Sequence, residues 1–272
     1  MSDKPKTPVT KKIAGILRAV AGTPDPKNFT SAVICAAGSS TRMEKLMGEP
    51  RKQFMELGGL PVVARTLMAY EAANTIHEII VGAREDELPL YEGFKETYGL
   101  TKLTKVVKGG ATRQESARLG SDEVDERCKF VAVADAARCL TTPEEIPRVC
   151  PAAYQYSAAS AGVKATDTVK VCDKSAFIES TPDRNYVWLA QTPQVFSIAI
   201  YRTAAYVCRD EEVEATDDIS MAEYIRVPVK MVACSRENIK ITEPAAVAFA
   251  EAILAMRKKK AAAAAAPAEE AK

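Results

Sequence analysis

Three short stretches hold residue types and spacings suited to polyphosphate chemistry. The first, Ala36-Ala37-Gly38-Ser39-Ser40-Thr41-Arg42-Met43, follows a brief apolar run and is built from small side chains. Such a loop lets backbone N–H groups approach phosphate oxygens at the carboxyl end of a parallel strand, where open α/β sheets bind ligands. It is neither a G-x-x-x-x-G-K-[ST] loop nor a G-x-G-x-x-G turn, and an ordinary tight turn has the same composition. Arg42 closes the loop and Lys52 follows in Pro50-Arg51-Lys52-Gln53-Phe54. These two fixed cations suit charge that grows in a phosphoryl-transfer transition state, although a solvated loop face would also carry them. The second stretch, Gly109-Gly110-Ala111-Thr112-Arg113-Gln114-Glu115-Ser116, has Thr112 as N-cap and Glu115 as its capping-box partner. Its glycines admit a flat ring; without a ligand it is simply a well-capped helix. The third, Val131-Ala132-Val133-Ala134-Asp135, ends a buried strand on a carboxylate. That is a position for a magnesium ligand beside substrate phosphates, and equally for a helix cap.

Composition narrows the chemistry further. The 272 residues include a single histidine, His77, so multi-histidine metal centres are excluded and a histidine-based triad or phosphotransfer would need that residue itself. Lys+Arg 37 against Asp+Glu 36 leaves +1, without the basic excess of a nucleic-acid binder. The seven cysteines are widely spaced with no Cys-x-x-Cys pair, which suggests neither a disulfide framework nor a zinc site and fits a reducing cytoplasm. No apolar run approaches the roughly 20 residues of a spanning helix, so no membrane partner is expected.

The elements that must position these residues follow a βα rhythm. Residues 31–36, 76–82, 103–107, 130–134 and 157–163 read as strands apolar on both faces. Helical periodicity occupies 61–73, 86–98, 112–121 and 143–154. This alternation predicts an α/β fold with a mostly parallel sheet covered by helices on both faces. After Thr166 the rhythm breaks into alternating residues with a polar turn at 173–175, which predicts a protruding β-arm at about 166–186. Helices at 197–209, 217–224 and 243–256 and a strand at 229–234 complete the expectation. Residues 1–29 read as an extension, weakly ordered or a short surface helix. Residues 30–256 form the domain, and 257–272 are a low-complexity tail.

In order along the chain, AAGSSTRM, RKQF, GGATRQES, VADAARC, ATDTVK, TPDRNYVWLAQTPQVF, EATDDISMAEY and ENIKITEP resemble one family. It is the 2-C-methyl-D-erythritol 4-phosphate cytidylyltransferases of the non-mevalonate isoprenoid pathway. The resemblance implies a Rossmann-like nucleotidyltransferase fold that transfers CMP from CTP to the alcohol phosphate, with Mg²⁺ or another divalent cation, and releases pyrophosphate. It implies that Ala36, Ala37 and Gly38 cradle the nucleotide and that Gly110 and Ser116 read the base. Arg42, Lys52 and Lys240 become the catalytic cations, and Asp135 binds the metal with Glu237 as a second contact. Asp167, Thr168, Arg184, Thr192 and Thr216 fall on the alcohol-phosphate side. The family's arm-exchanged homodimer implies a second copy of the chain as partner.

The chemistry agrees with a one-histidine chain. A phosphomonoester nucleophile is already anionic near pH 7 and needs no general base. Where the family commonly has Gly, His and Pro, this chain has Ser40, Ala134 and Cys139. Cys139 beside Arg138 is a candidate thiol of lowered pKa, with an inert packed cysteine as the alternative. Ribitol-5-phosphate cytidylyltransferase is the nearest alternative activity. A sugar-nucleotide pyrophosphorylase and a non-enzymatic nucleotide-binding module are more distant ones.

Overall fold

Apolar residues that alternate in direction along a strand can bury both faces of a sheet, and the two central strands do this. In the computed structural model, which describes residues 28–38 and 53–265, β1 (Thr30–Cys35) and β6 (Phe130–Asp135) pair in parallel. Ala32, Ile34, Ala132 and Ala134 face one core; Val33, Val131 and Val133 face another. The first core is covered by α1 (Val62–Ala72), α2 (Leu88–Thr97) and α4 (Ile146–Tyr156), the second by α3 (Arg113–Asp122), α5 (Ile198–Asp210) and α6 (Asp218–Tyr224). Helices on both faces are the expected solution for strands of this kind. The Rossmann-like architecture anticipated from sequence is present.

The main sheet among the described residues has the order β11-β7-β10-β6-β1-β4-β5. Here β4 is Glu78–Ala83, β5 Leu103–Lys108, β7 Ala158–Lys164, β10 Trp188–Ser197 and β11 Lys230–Ala233. Every pairing is parallel except those of β10, which runs antiparallel between β6 and β7. The sequence reading assigned no sheet strand to this stretch, because Gln191, Pro193 and Gln194 interrupt an apolar pattern. The register of β10 slips between Ala190 and Gln194, so its middle bulges out of the ladder.

A small hairpin of β2 (Glu56–Leu57) and β3 (Leu60–Pro61) precedes α1. The arm carries a second hairpin, β8 (Val171–Cys172) against β9 (Ile178–Ser180). Asp173 builds its turn, accepting through Oδ1 from the backbone N–H groups of Ser175 and Phe177 at 2.9 Å each. The last helix, α7 (Pro244–Ala265), continues past residue 256, where the periodic pattern ended, into the alanine-rich run. A third core lies under it, made of Leu57, Val62, Cys139, Leu140, Ile241 and their neighbours. None of the described helices is long and apolar enough to cross a membrane.

Candidate active site

The carboxyl ends of β1, β4, β5 and β6 lie along one edge of the sheet, and the loops leaving them are stitched together. Ala36 N–H donates to Gly82 O at 2.8 Å, Gly109 N–H to Ala83 O at 2.7 Å, and Ala136 N–H to Cys35 O at 3.1 Å. The first two loops touch: a Cβ on Gly109 would lie 2.4 Å from the Cβ of Ala37 and 2.9 Å from Ser116 Oγ. Only glycine permits that approach. The helix start is capped as anticipated, with Thr112 Oγ1 accepting Glu115 N–H at 3.0 Å. The return contact is displaced by one residue, since Glu115 Oε2 accepts from Ala111 N–H at 2.7 Å. Ser116 Oγ accepts from Gly110 N–H at 3.0 Å and donates to Thr112 O at 2.8 Å, which fixes the glycine pair.

Asp135, at the end of β6, is the centre of the site. Its Oδ1 accepts from Arg113 Nε at 2.6 Å, and its Oδ2 lies 2.8 Å from Lys240 Nζ and 3.6 Å from Arg138 Nε. Arg113 reaches past it to a second carboxylate: Nη1 donates to Asp218 Oδ2 at 2.6 Å. The Asp218 side chain is fully buried. Tyr201 OH donates to its Oδ1 at 3.2 Å, and Gln194 Oε1 accepts the backbone N–H groups of Asp218 and Ile219. Asp217 caps α6 through Ser220 N–H at 3.0 Å, so the helix start holds Asp218 in place.

Burial works to raise the Asp135 carboxyl, but Arg113 and Lys240 outweigh it and hold Asp135 well below the usual carboxylate range. Asp218 goes the other way: burial raises its carboxyl, with Arg113 opposing. The Arg113 guanidinium, although buried, is held charged by the two carboxylates.

Two cavities meet at this cluster. One of about 140 Å³ is lined by Ala36, Ala37, Gly38, Gln53 and Ser116 together with Arg113, Asp135 and Lys240. The other, about 200 Å³, is lined by Arg138, Gln191, Thr192, Thr216 and Asp217 with the same three residues. The expected nucleotide-side residues Ala36–Gly38 and Ser116 and the expected alcohol-side residues Thr192 and Thr216 thus stand on opposite sides of one charged partition. The Asp135 N–H donates to Thr192 Oγ1 at 3.2 Å. Asn238, fully buried, donates through Nδ2 to Thr192 O at 2.9 Å and accepts from Thr141 at 2.8 Å, anchoring the loop that carries Lys240. Arg138 Nη1 donates to Asn238 O at 2.7 Å.

A match to the family model described as 2-C-methyl-D-erythritol 4-phosphate cytidylyltransferase covers residues 30–256, a span that includes every element of this partition. The chain belongs to this family. It is 41% identical over 225 residues to the cytidylyltransferase of that name from Caldanaerobacter subterraneus, covering 82% of this chain and 98% of that one. It is 38% identical to the one from Pelotomaculum thermopropionicum, over 84% of this chain and 95% of that one. Among solved structures it is similar to 4-diphosphocytidyl-2C-methyl-D-erythritol synthase from Anaerococcus prevotii. The TM-score is 0.75 at 30% identity, covering 84% of this chain and 96% of that one.

Within this family framework, several expected site residues lie elsewhere. Arg42, Lys52 and Ser40 fall outside the described residues. Gly110 backs the nucleotide-side loop through Ser116 rather than lining either cavity. Asp167, Thr168 and Arg184 sit on the exposed arm, where Arg184 Nη1 donates to Thr166 O at 2.9 Å, and line neither cavity. Glu237, expected as a second metal contact, is engaged by its Oε2 with Arg257 Nε on α7 at 2.8 Å. Among the described residues no group of three His, Cys, Asp or Glu side chains could hold a metal.

Of the two readings of Cys139, the inert packed cysteine is the one the structure has. Cys139 is packed under α7, and burial pushes its thiol up to about 11. Ala134 lies in the apolar core on the far side of the strand from Val133, so its missing polar group is not missing from the site. His77 lies at the opposite end of β1: its Nδ1 accepts Thr30 N–H at 3.1 Å and its ring stacks on Phe29. Sequence reasoning missed Arg113 and Asp218. Both stood inside quoted motifs, GGATRQES and EATDDISMAEY, where Gly110, Thr112, Glu115, Ser116 and Thr216 were given roles and these two charged residues were not.

Proposed function

We propose that this protein transfers CMP from CTP to 2-C-methyl-D-erythritol 4-phosphate, with pyrophosphate as the second product. The observation that carries the reading is the shared partition: Arg113, Asp135 and Lys240 form a wall common to both cavities. A nucleotide seated on the 36–38 loop and an alcohol phosphate seated beside Thr192 and Thr216 would meet there. The acceptor phosphate attacks the α-phosphorus in line, and the step is limited by bringing two anions together. Lys240 answers that charge as a point cation, and Arg42 and Lys52 are proposed to do so from the preceding loop. The small residues at 37–38 let phosphate oxygens approach the backbone of the loop, whose first N–H, that of Ala36, is held by Gly82 O.

Asp135 fits a Mg²⁺ site. Its carboxylate is kept ionised despite burial, and one carboxylate with substrate phosphates is a usual donor set for this ion. Bound there, Mg²⁺ would neutralise phosphate charge and polarise the α-phosphate.

The arm favours a homodimer. Phe177, Ile178, Tyr186 and Leu189 are 74%, 61%, 83% and 53% exposed, more apolar surface than a thin hairpin keeps in water without a partner. A neighbouring copy that covers them would also bring an arm's Asp167, Thr168 and Arg184 to the alcohol side. The setting we propose is the cytoplasm, in agreement with the unpaired cysteines.

Pyrophosphate release from CTP and Mg²⁺ tests the reading, with 2-C-methyl-D-erythritol 4-phosphate and ribitol 5-phosphate assayed in parallel. Turnover with the first substrate alone is expected. Preference for the second would keep the chemistry and reject the acceptor; silence with both would reject the function.

A further inference from the structure

The bulge in β10 leaves a buried polar group unpaired at the wall of the alcohol-side cavity. The register slip between Ala190 and Gln194 takes Gln191 and Thr192 out of the ladder beside Asp135. Gln191 is 6% exposed, yet it lines the cavity of about 200 Å³ on the alcohol side. Its amide is held in one orientation, because Nε2 donates to the Ser235 carbonyl at 3.1 Å and a carbonyl can only accept. That leaves Oε1 as an acceptor, and this buried atom has no hydrogen-bond partner. A buried acceptor left unpaired keeps its desolvation cost, so native structures rarely hold one without use.

We infer that Gln191 is a specificity-determining residue whose Oε1 accepts a hydrogen bond from a hydroxyl group on the carbon chain of the acceptor alcohol. The inference rests on the reading of this cavity as the alcohol-phosphate side. A hydroxyl supplies the missing donor, whereas the phosphate end of the substrate is anionic and would be repelled by a carbonyl oxygen. Arg138 and Lys240 line the same cavity, and cations suit that phosphate better than a carbonyl oxygen does. A site built to pair a hydroxyl discriminates strongly against an analogue lacking it, because the protein group is then stranded again.

The test uses the full-length enzyme, the parent alcohol phosphate and its mono-deoxy analogues. In the wild type, one analogue should lose at least about tenfold in kcat/KM while the others lose less. In Gln191→Leu and in Gln191→Met, the parent should fall by about the same factor and that one analogue should fall no further, with the KM for CTP unchanged. A structural role through Ser235 would instead lower every analogue by one common factor or move the CTP kinetics through the Lys240 loop, and either outcome overturns the proposal. So does a wild type that singles out no hydroxyl. A crystal structure of the wild type with the CDP-alcohol product needs no variant: a substrate hydroxyl within hydrogen-bond distance of Oε1 is expected, and a water or an empty position there refutes the assignment. If the wild type turns over no parent substrate, the functional reading itself fails and this inference falls with it. That result precedes any variant and is distinguishable from a failure at Gln191 alone.

Discussion

Replacing Arg113 with methionine should unmask a pH dependence of stability that the wild type does not have to the same degree. The substitution keeps the aliphatic stem but removes the guanidinium that links two carboxylates. Asp135 is not abandoned, since Lys240 remains at 2.8 Å and Arg138 at 3.6 Å. Asp218 loses the cation at 2.6 Å from a side chain with no solvent exposure, keeping Tyr201 OH at 3.2 Å. Burial already raises its carboxyl, and without Arg113 the Tyr201 hydroxyl is left to oppose that effect with a neutral hydrogen bond. An acid whose folded carboxyl is raised binds more protons folded than unfolded, so stability is retained below the unfolded pKa of about 3.9 and lost as pH rises above it. The loss accrues at about 1.36 kcal/mol per pH unit until the folded carboxyl itself ionises. The ceiling is therefore about 1.5 kcal/mol at pH 5 and about 5 kcal/mol at pH 7.5, in line with the ~3–5 kcal/mol typical of breaking a buried pair. Asp135 is held below its usual range in the wild type largely by the same Arg113, so rescue by Asp218→Asn is what assigns the slope to Asp218 rather than to Asp135. Urea unfolding of wild type and Arg113→Met at pH 5 and 7.5, compared at each pH, measures the effect. Adding Asp218→Asn to the variant should recover most of the loss at pH 7.5. A penalty independent of pH, or one that Asp218→Asn leaves in place, would refute the argument that a stranded Asp218 is the cause.

Gly109→Ala should separate the two nucleotide-side loops, because the new Cβ would sit 2.4 Å from that of Ala37; we expect the KM for CTP to rise about tenfold or more with the far-UV spectrum unchanged, and a normal KM would show that this approach does not shape the site. Alkylation at pH 8 should label Cys172, exposed on the arm, well before Cys139 or Cys35, whose thiols burial pushes up to about 11 and about 12. Fast modification of Cys139 followed by peptide mapping would contradict its packing beneath α7.

Most of the sheet was legible because its strands are buried on both faces and so are written as short apolar runs between helices. The strand at 130–134 predicted from such a run is observed at Phe130–Asp135, and the helix at 112–121 at Arg113–Asp122. β10 was not legible for the same physical reason in reverse. Its glutamines and proline break the apolar pattern, and they are tolerated because their partners lie far along the chain. Gln194 is paired with the Asp217 side chain and the Asp218 backbone, and Gln191 with the carbonyl of Ser235. A strand whose polar groups are satisfied by long-range contacts carries no local signature.

The site divides along the same line. Loops that work through their backbone, such as 36–38 and 109–110, can be read from small residues at a strand end. Charge wiring cannot: Arg113 and Asp218 stand 105 residues apart, and nothing in GGATRQES says which way the arginine points. Cys139 resolves to the packed alternative: burial raises its thiol, and adjacency to Arg138 in sequence carries no weight against it. The wiring also separates the roles of the cations. Arg113, Arg138 and Lys240 face Asp135 and Asp218 where the two cavities meet, and Asp217 lines the alcohol-side cavity beside them. Arg113 is tied at both ends by 2.6 Å contacts and Arg138 is held by the carbonyls of Asn238 and Ala190, so neither can move without stranding a buried group. Lys240 is 38% exposed and makes one contact with Asp135, which keeps Arg113 if it leaves. Of the three, Lys240 has the lowest cost of exchanging its partner for a phosphate oxygen, and the two arginines make that exchange possible by keeping Asp135 ionised and in place.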